Sequence, residues 1–182
     1  MNILLKRNGI VFGVILGILL ALPTIIAYSV DINYLVNDLM FPIIILMVII
    51  VGIICISFAK KKLQGIIGFK EAFSTYLIML VVSVLIFNSF NFLLFNVIDK
   101  PFQEVVKEKT IENINVKFQE VKDNPDISEE DLNTYQERTT NTIQQIKEEN
   151  LYSITALFKG FATYIALFSI FGLLLSMILK SK

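Results

Sequence analysis

The sequence predicts an all-α integral membrane protein, a four-helix transmembrane bundle with an extracytoplasmic helical hairpin between helices 3 and 4. The first observation behind this prediction is composition. Of the 182 residues, 55 % are apolar and only 18 % are charged, with a mean hydropathy of +0.69. A soluble domain of this length normally carries fewer apolar residues. The second and third observations are where the apolar blocks lie and which charges flank them.

Four uncharged blocks are each long enough to cross a hydrocarbon core about 30 Å thick, which takes roughly 20 helical residues. Apolar side chains occupy every face of each block, and no alternation of polar and apolar residues is present, which disfavours surface helices and β-barrels. In lipid, a helix satisfies its own backbone hydrogen bonds. The predicted spans are Ile10–Val30, Leu39–Ala59, Leu77–Ile98 and Phe161–Leu179.

The Lys and Arg residues beside the spans indicate the orientation of the chain. The first short loop carries Asp31 and Asp38 and no basic residue. By the positive-inside rule, both termini and the second loop are expected to be cytoplasmic. The basic residues behind this expectation are Lys6, Arg7, Lys60, Lys61, Lys62, Lys70, Lys180 and Lys182.

The first block resembles a signal peptide in its basic start, but its apolar run is too long and no cleavage site closes it, so we expect a retained anchor. Cys55 is the single cysteine and lies inside the second span, where we interpret it as a small buried hydrophobe. The chain has no His and no Trp, which removes the commonest metal ligand and the commonest general base.

Residues 99–153 differ sharply in composition, with thirteen acidic against seven basic side chains. Two helical arms are predicted, Pro101–Lys122 and Glu129–Asn150, separated by a turn. Pro101 suits a first helical position. Ser128 and Asp131 form a capping box at the start of the second arm. The domains are therefore residues 1–98 with three spans, 99–153 with the acidic hairpin, and 154–182 with the fourth span and a cytoplasmic tail.

The apolar stripes of the two arms are too sparse for a core of their own, so we expect the hairpin to lean on a partner or stay partly mobile. Neither Pro nor Gly occurs between Pro125 and Gly160. A continuous helix from Glu129 to Leu179 is therefore predicted, unless Asn150 or Ser153 caps a new helix.

Small residues recur at intervals of four along one face of the first span, at Gly9, Gly13, Gly17 and Ala21. Such a face lets another backbone come close, so a helix-packing role is predicted. The fourth span carries a matching surface. We favour a neighbour in the same chain over one in a second copy. The matching residues are Ala162, Ala166, Ser169, Gly172 and Ser176.

The third span holds an intramembrane polar cluster of Asn88, Asn91 and Asn96. An amide in hydrocarbon must find a partner, so these side chains should point into the bundle. Interhelical hydrogen bonding is the favoured interpretation, and a substrate or ion contact is the alternative.

No Asp, Glu, Lys, Arg or His lies in the middle of any span, although proton relays and ion-coupled carriers are built from such residues. There is no phosphate-binding Gly loop, no metal-ligand spacing and no nucleophile with a base. We therefore expect no enzyme activity, no cofactor and no metal.

Several stretches together resemble a known family. Residues Gly68 to Phe73 open the third helix with the run GFKEAF, and Val97 to Pro101 close it with VIDKP. With the acidic insert and the small-residue fourth helix ending in Lys180, the chain resembles the bacterial membrane proteins grouped as domain of unknown function 4199. The usual Asp-Pro is Asp99-Lys100-Pro101 here. The resemblance implies the fold and a bacterial envelope setting, from which we expect the protein in the cell inner (cytoplasmic) membrane. It implies no activity and no site residues.

Two function classes remain. The first is a non-enzymatic envelope scaffold that binds a partner through the hairpin and helix surfaces. The second is a small oligomeric transporter or channel lined by Asn88, Asn91 and Asn96. The expected partners are the lipid bilayer and either a further copy or another membrane or envelope protein, and no nucleic acid.

Overall fold

The computed structural model describes residues 2–181, and every regular element in that range is helical, without strands. Four of the helices are long and apolar enough to cross a membrane. The prediction of an all-α protein with four candidate transmembrane helices is therefore confirmed. The elements are α1 (Ile3–Ser29), α2 (Asn33–Val36), α3 (Met40–Lys62), α4 (Phe69–Leu93) with a π-helical turn (Leu94–Ile98), α5 (Lys100–Lys122), α6 (Glu129–Glu148) and α7 (Ile154–Leu179).

The membrane helices extend beyond the uncharged blocks that predict them. α4 begins at Phe69, eight residues before Leu77, because the Glu71 carboxylate accepts the Gly68 N–H at 3.0 Å and caps the helix there. α7 begins at Ile154, before Lys159 rather than after it. Charged side chains near a helix end do not stop the helix, since their long stems let the charge reach water.

α4 lies at the centre of the bundle and packs against α1, α3 and α7. Its closest neighbour is α1. A Cβ placed on Gly9 would lie 2.7 Å from the Thr75 carbonyl oxygen, and one on Gly13 would lie 2.7 Å from Cβ of Val82. Only a hydrogen at these positions permits the approach, which brings many atoms into van der Waals contact.

The ring of Tyr76 joins three helices. It lies between Gly52 of α3 and Gly172 of α7, and a Cβ on either glycine would collide with it. The phenol is fully buried and donates to the Phe168 carbonyl oxygen at 3.0 Å. The hydrogen bond satisfies the one polar group that this large side chain brings into the core.

Both described ends of the chain lie at one end of the bundle, together with the α3–α4 connection. The Ser181 N–H donates to the Ile67 carbonyl oxygen at 2.8 Å, and the Ile67 N–H donates to the Ser181 hydroxyl at 3.1 Å. Lys182 lies outside the described residues. We call the half of the bundle on this side the terminal end (residues 2–16, 52–82 and 168–181), and we call residues 28–40 and 90–156 the opposite end.

The helix is interrupted at Asp99, which separates α4 and its π-helical turn from α5. The π-helical turn ends there, Asp99 is extended with φ −142° and ψ 81°, and its carboxylate accepts the Phe102 N–H at 3.1 Å. Pro101 lies in the first turn of α5, where its missing N–H has no intrahelical partner to lose.

The predicted continuous helix from Glu129 to Leu179 is wrong. α6 ends at Glu148, and α7 starts only at Ile154. Ser153 is extended, with ψ 155°, and its hydroxyl accepts the Ala156 N–H at 3.2 Å, so it caps a new helix. The Asn150 side chain accepts the Tyr152 N–H at 2.9 Å and stabilises the turn before it. The second arm accordingly ends two residues before the predicted Asn150.

Candidate functional site

The opposite end of the bundle is held by an aromatic cluster. Phe95, in the π-helical turn, is 1 % exposed, and its ring stacks on Tyr152 with 3.7 Å between the ring centroids. Phe102 of α5 lies against the other side of this cluster, 5.6 Å from Phe95 and 4.9 Å from Tyr28 of α1. Three helices and the α6–α7 connection thus meet at one apolar contact, which burial of large rings stabilises.

Polar contacts fix the middle of α5 to the α1–α3 connection. The Asn113 amide donates to the Val36 carbonyl oxygen at the end of α2, with 2.8 Å between the atoms. Lys117 forms an ion pair with Asp38. Tyr28 donates to the Asp99 carboxylate at 3.3 Å. The acidic segment therefore leans on the chain's own membrane helices.

The short helix α2, which the sequence did not predict, supplies part of this contact. Asp31 sets its position by accepting the Asn33 N–H at 2.9 Å and the Asn33 side-chain amide at 3.1 Å. These two bonds, the backbone one first, lower the pKa of the Asp31 carboxyl because they stabilise its charged form. Four residues hold no periodic pattern, so the sequence alone gave no signal for this helix.

A cavity of about 500 Å³ lies where α5 covers the ends of the membrane helices. Asn88 and Asn91 of the predicted polar cluster line it, whereas Asn96 does not. Its lining is mixed, since α5 contributes the apolar Val106 and Ile114 as well as polar side chains. Its lining includes Thr24, Asn88, Asn91, Thr110, Asn113, Lys117, Tyr152 and Tyr164.

The three predicted asparagines use their amides in hydrogen bonds. Asn88 donates to the Leu157 carbonyl oxygen of α7 at 3.2 Å. Asn91, 4 % exposed, donates to the Phe87 carbonyl oxygen at 2.9 Å and accepts from Thr24 of α1 at 3.4 Å. Asn96 donates to the Tyr152 carbonyl oxygen at 2.9 Å. Their amides therefore connect α4 to α1, α7 and the α6–α7 connection.

The small-residue face of α1 meets α4 and not the matching surface of α7. Gly17 lies against Ile86, with 2.8 Å from an ideal Cβ to Cβ of the isoleucine, and Ala21 is 4 % exposed. On α7, Gly172 receives the Tyr76 ring, and Ser176 is fully buried. Spacing identified both faces, but it carried no information on which helix each face meets.

The α6 helix packs against α5 along one stripe and leaves its charged face exposed. Ile146 is its one buried residue, and the ring of Tyr135 stacks on Phe118 of α5 near the tip of the pair, 6.2 Å between centroids. At the base, the Gln103 amide donates to the Asn150 side-chain oxygen at 2.7 Å. All seven charged side chains of α6 are exposed, five acidic and two basic: Glu129, Glu130, Asp131, Glu137, Arg138, Lys147 and Glu148.

Among residues 2–181, no three His, Cys, Asp or Glu side chains converge in a way that could hold a metal ion. The polar groups that sequence reasoning missed at this site are Thr24, Asn113 and Lys117. The contacts of all three join residues at least 67 positions apart. Their residue types carry no local pattern, so only the folded chain brings them together.

Comparison with protein families gives a match over residues 11–181, nearly the whole chain, to the family described as protein of unknown function (DUF4199). No curated protein and no solved structure matches the chain in the corresponding comparisons. The family description assigns no activity. The predicted family is thereby confirmed, and the chain belongs to the DUF4199 family of proteins of unknown function.

Proposed function

We propose that this chain is a non-enzymatic envelope protein that binds a partner protein through α6, displayed outside the cytoplasmic membrane. The observation that carries the proposal is the contrast between α5 and α6. α5 is fixed to the π-helical turn through Phe102 and to α2 through Asn113, whereas Ile146 is the one fully buried residue of α6. A helix that rests on α5 along one stripe and leaves its charged face open is suited to recognition, since little conformational freedom is lost on binding.

Charge supports both the orientation and the partner class. The terminal end carries a run of lysines, Lys60, Lys61 and Lys62, which the positive-inside rule places in the cytoplasm. The α5–α6 pair at the opposite end then faces the outside. Its acidic excess favours a partner with a basic surface, because complementary charge speeds association and suppresses wrong partners.

The channel alternative is less well supported. A lumen lined by the third span requires free amides facing water, whereas Asn88 and Asn96 donate to carbonyl oxygens of Leu157 and Tyr152. The core at the terminal end is also closed, with Leu16, Ile56 and Met79 fully buried.

Site-specific photo-crosslinking in the native membrane tests the proposal. A photoreactive residue at Asn133 of α6 should give an adduct with a second protein, and one at Gln64, exposed at the terminal end, should not give that adduct. Glu130→Lys combined with Glu137→Lys should abolish the Asn133 adduct. Glu108→Lys with Glu120→Lys makes the same charge change on exposed α5 positions and should leave it intact.

Two outcomes would contradict the proposal. The first is an absence of any adduct at Asn133 and at other exposed α6 positions. The second is equal loss of the adduct in both double variants, which would mean that overall charge and not α6 determines the contact. An adduct of twice the chain mass would identify the partner as a second copy.

A further inference from the structure

A pocket of about 510 Å³ opens at the terminal end of the bundle, between α1 and α3. Its walls are apolar and its rim is basic. The rings of Phe12 and Phe58 form one wall, in edge contact at 5.4 Å between centroids. Val11 and Phe58 are about half exposed, so this side faces the lipid. The full lining is Leu4, Arg7, Asn8, Val11, Phe12, Phe58 and Lys62.

The basic rim is positioned by a buried amide. Asn8 is 1 % exposed although it lies in a membrane helix, and its amide nitrogen donates to the Cys55 carbonyl oxygen of α3 at 2.9 Å. Its side-chain oxygen accepts from the Lys62 ammonium at 3.0 Å. One hydrogen-bonded unit therefore links α1 to α3 and holds the Lys62 charge at the mouth of the pocket. A buried amide with both ends bonded is well suited to positioning, since neither group can be released without cost.

The two cations at this rim have no anionic partner. Within residues 2–181, the ion pairs join Lys107 to Glu104, Lys109 to Glu112 and Lys117 to Asp38, all at the opposite end. Glu71, the acidic residue of the terminal end, already accepts from the Gly68 N–H. Arg7 and Lys62 together thus present two uncompensated charges above a lipid-facing apolar pocket.

We propose that this pocket is a specific site for an anionic phospholipid. The phosphate of the lipid lies between Arg7 and Lys62, and one acyl chain runs along Phe12, Val11 and Phe58. The guanidinium of Arg7 matches two phosphate oxygens geometrically, and the Lys62 ammonium supplies a point charge. Basic pockets between membrane helices at a bilayer surface have the chemistry that anionic headgroups require. The apolar walls distinguish this ligand from free phosphate, which gains nothing from them.

Native mass spectrometry of the purified full-length chain in detergent tests this proposal. Titration with phosphatidylglycerol and with phosphatidylcholine of the same acyl chains should show one phosphatidylglycerol bound about tenfold more tightly, in line with two lipid-facing cations. Arg7→Gln with Lys62→Gln should remove that preference. Lys6→Gln with Lys61→Gln removes the same charge from exposed neighbours and should keep it.

A third titration uses glycerol phosphate, which shares the charged group of the lipid but has no acyl chains. It should not bind at the concentrations at which phosphatidylglycerol saturates the protein. Arg7→Gln alone provides a variant whose folding is not at risk, because Arg7 is exposed and forms no ion pair within residues 2–181. It should weaken phosphatidylglycerol binding with an unchanged unfolding midpoint in lipid-free detergent. Equal loss in the Lys6 and Lys61 control, unchanged binding in both Arg7 variants, or equal binding of glycerol phosphate would overturn the proposal.

Discussion

The two ends of the bundle are assembled by different means. At the terminal end, backbones approach directly through Gly9 and Gly13, and the buried Tyr76 ring fills the space between three helices. At the opposite end, large rings and single polar contacts such as Asn113 to Val36 hold the helices around a cavity of about 500 Å³. Close packing leaves little room for alternative arrangements of the helices. A contact made of few hydrogen bonds around a cavity needs less free energy to open locally.

This difference separates a part of the molecule that fixes helix positions from a part that can adapt. Substitutions at the terminal end should lower the stability of the whole bundle. Substitutions at the opposite end should release α5 and α6 locally, with the membrane helices still packed. The three variants below test that division, from the largest expected effect to the smallest.

Gly13→Leu should cause the largest loss. Its side chain would have to enter space filled by Val82 and by the Met79 carbonyl oxygen, which lies 2.8 Å from an ideal Cβ. Overpacking of this kind typically costs about 1–3 kcal/mol, and a backbone contact leaves less room to relax. We expect a lower unfolding midpoint in detergent, measured by circular dichroism.

The control is Val14→Leu, which changes a side chain exposed on the lipid side of the same helix. If Gly13→Leu and Val14→Leu shift the midpoint equally, then the α1–α4 contact does not determine the stability of the bundle.

Gly172→Ala should have a smaller but still global effect. The added methyl group collides with the ring of Tyr76, which has Gly52 behind it and cannot move back. We expect a loss of about 1–2 kcal/mol, at the lower end for overpacking. Gly160→Ala, in the same helix, meets nothing within 4 Å and should be neutral or stabilising. If Gly160→Ala is destabilised and Gly172→Ala is not, then the contact of Gly172 with Tyr76 does not contribute to the stability of the bundle.

Asn113→Ala should have the smallest effect and a local one. It removes one hydrogen bond to the Val36 carbonyl oxygen, worth about 1 kcal/mol. Hydrogen exchange should become faster in α5 and α2 and remain unchanged in α4. Asn115→Ala, at an exposed position two residues further on, serves as the control. Faster exchange throughout the bundle would mean that the two ends are not separable.

The sequence was sufficient for features that depend on local pattern. Uncharged blocks predict the four membrane helices, and the capping box at Ser128 predicts the start of α6, where the hydroxyl accepts the Asp131 N–H at 3.1 Å. Spacing predicts a small-residue face that the structure places against α4. These signals are contained within one or two helical turns, so they can be recognised without the fold.

Features that depend on distant residues were beyond the sequence. The Asn8 amide donates a hydrogen bond to a carbonyl oxygen 47 positions further along the chain, and it accepts one from Lys62, which is 54 positions away. The prediction of a continuous helix through α6 and α7 was wrong for a different reason. Ser153 is a capping residue, but it lacks the acidic partner three residues later that marks Ser128 as a cap. A cap without the reciprocal contact competes closely with a continuing helix, and tertiary contacts of Tyr152 decide the outcome.

The two connections that join the α5–α6 pair to the membrane helices lie side by side. The Gln103 amide donates to the Asn150 side-chain oxygen at 2.7 Å, and the Asn96 amide donates to the Tyr152 carbonyl oxygen. The chain thus leaves and re-enters the bundle at nearly one point. Closing a loop between adjacent points costs a free energy that rises only slowly with loop length. The tip of the pair can therefore be lengthened or shortened at little cost in free energy while the four spans keep their places.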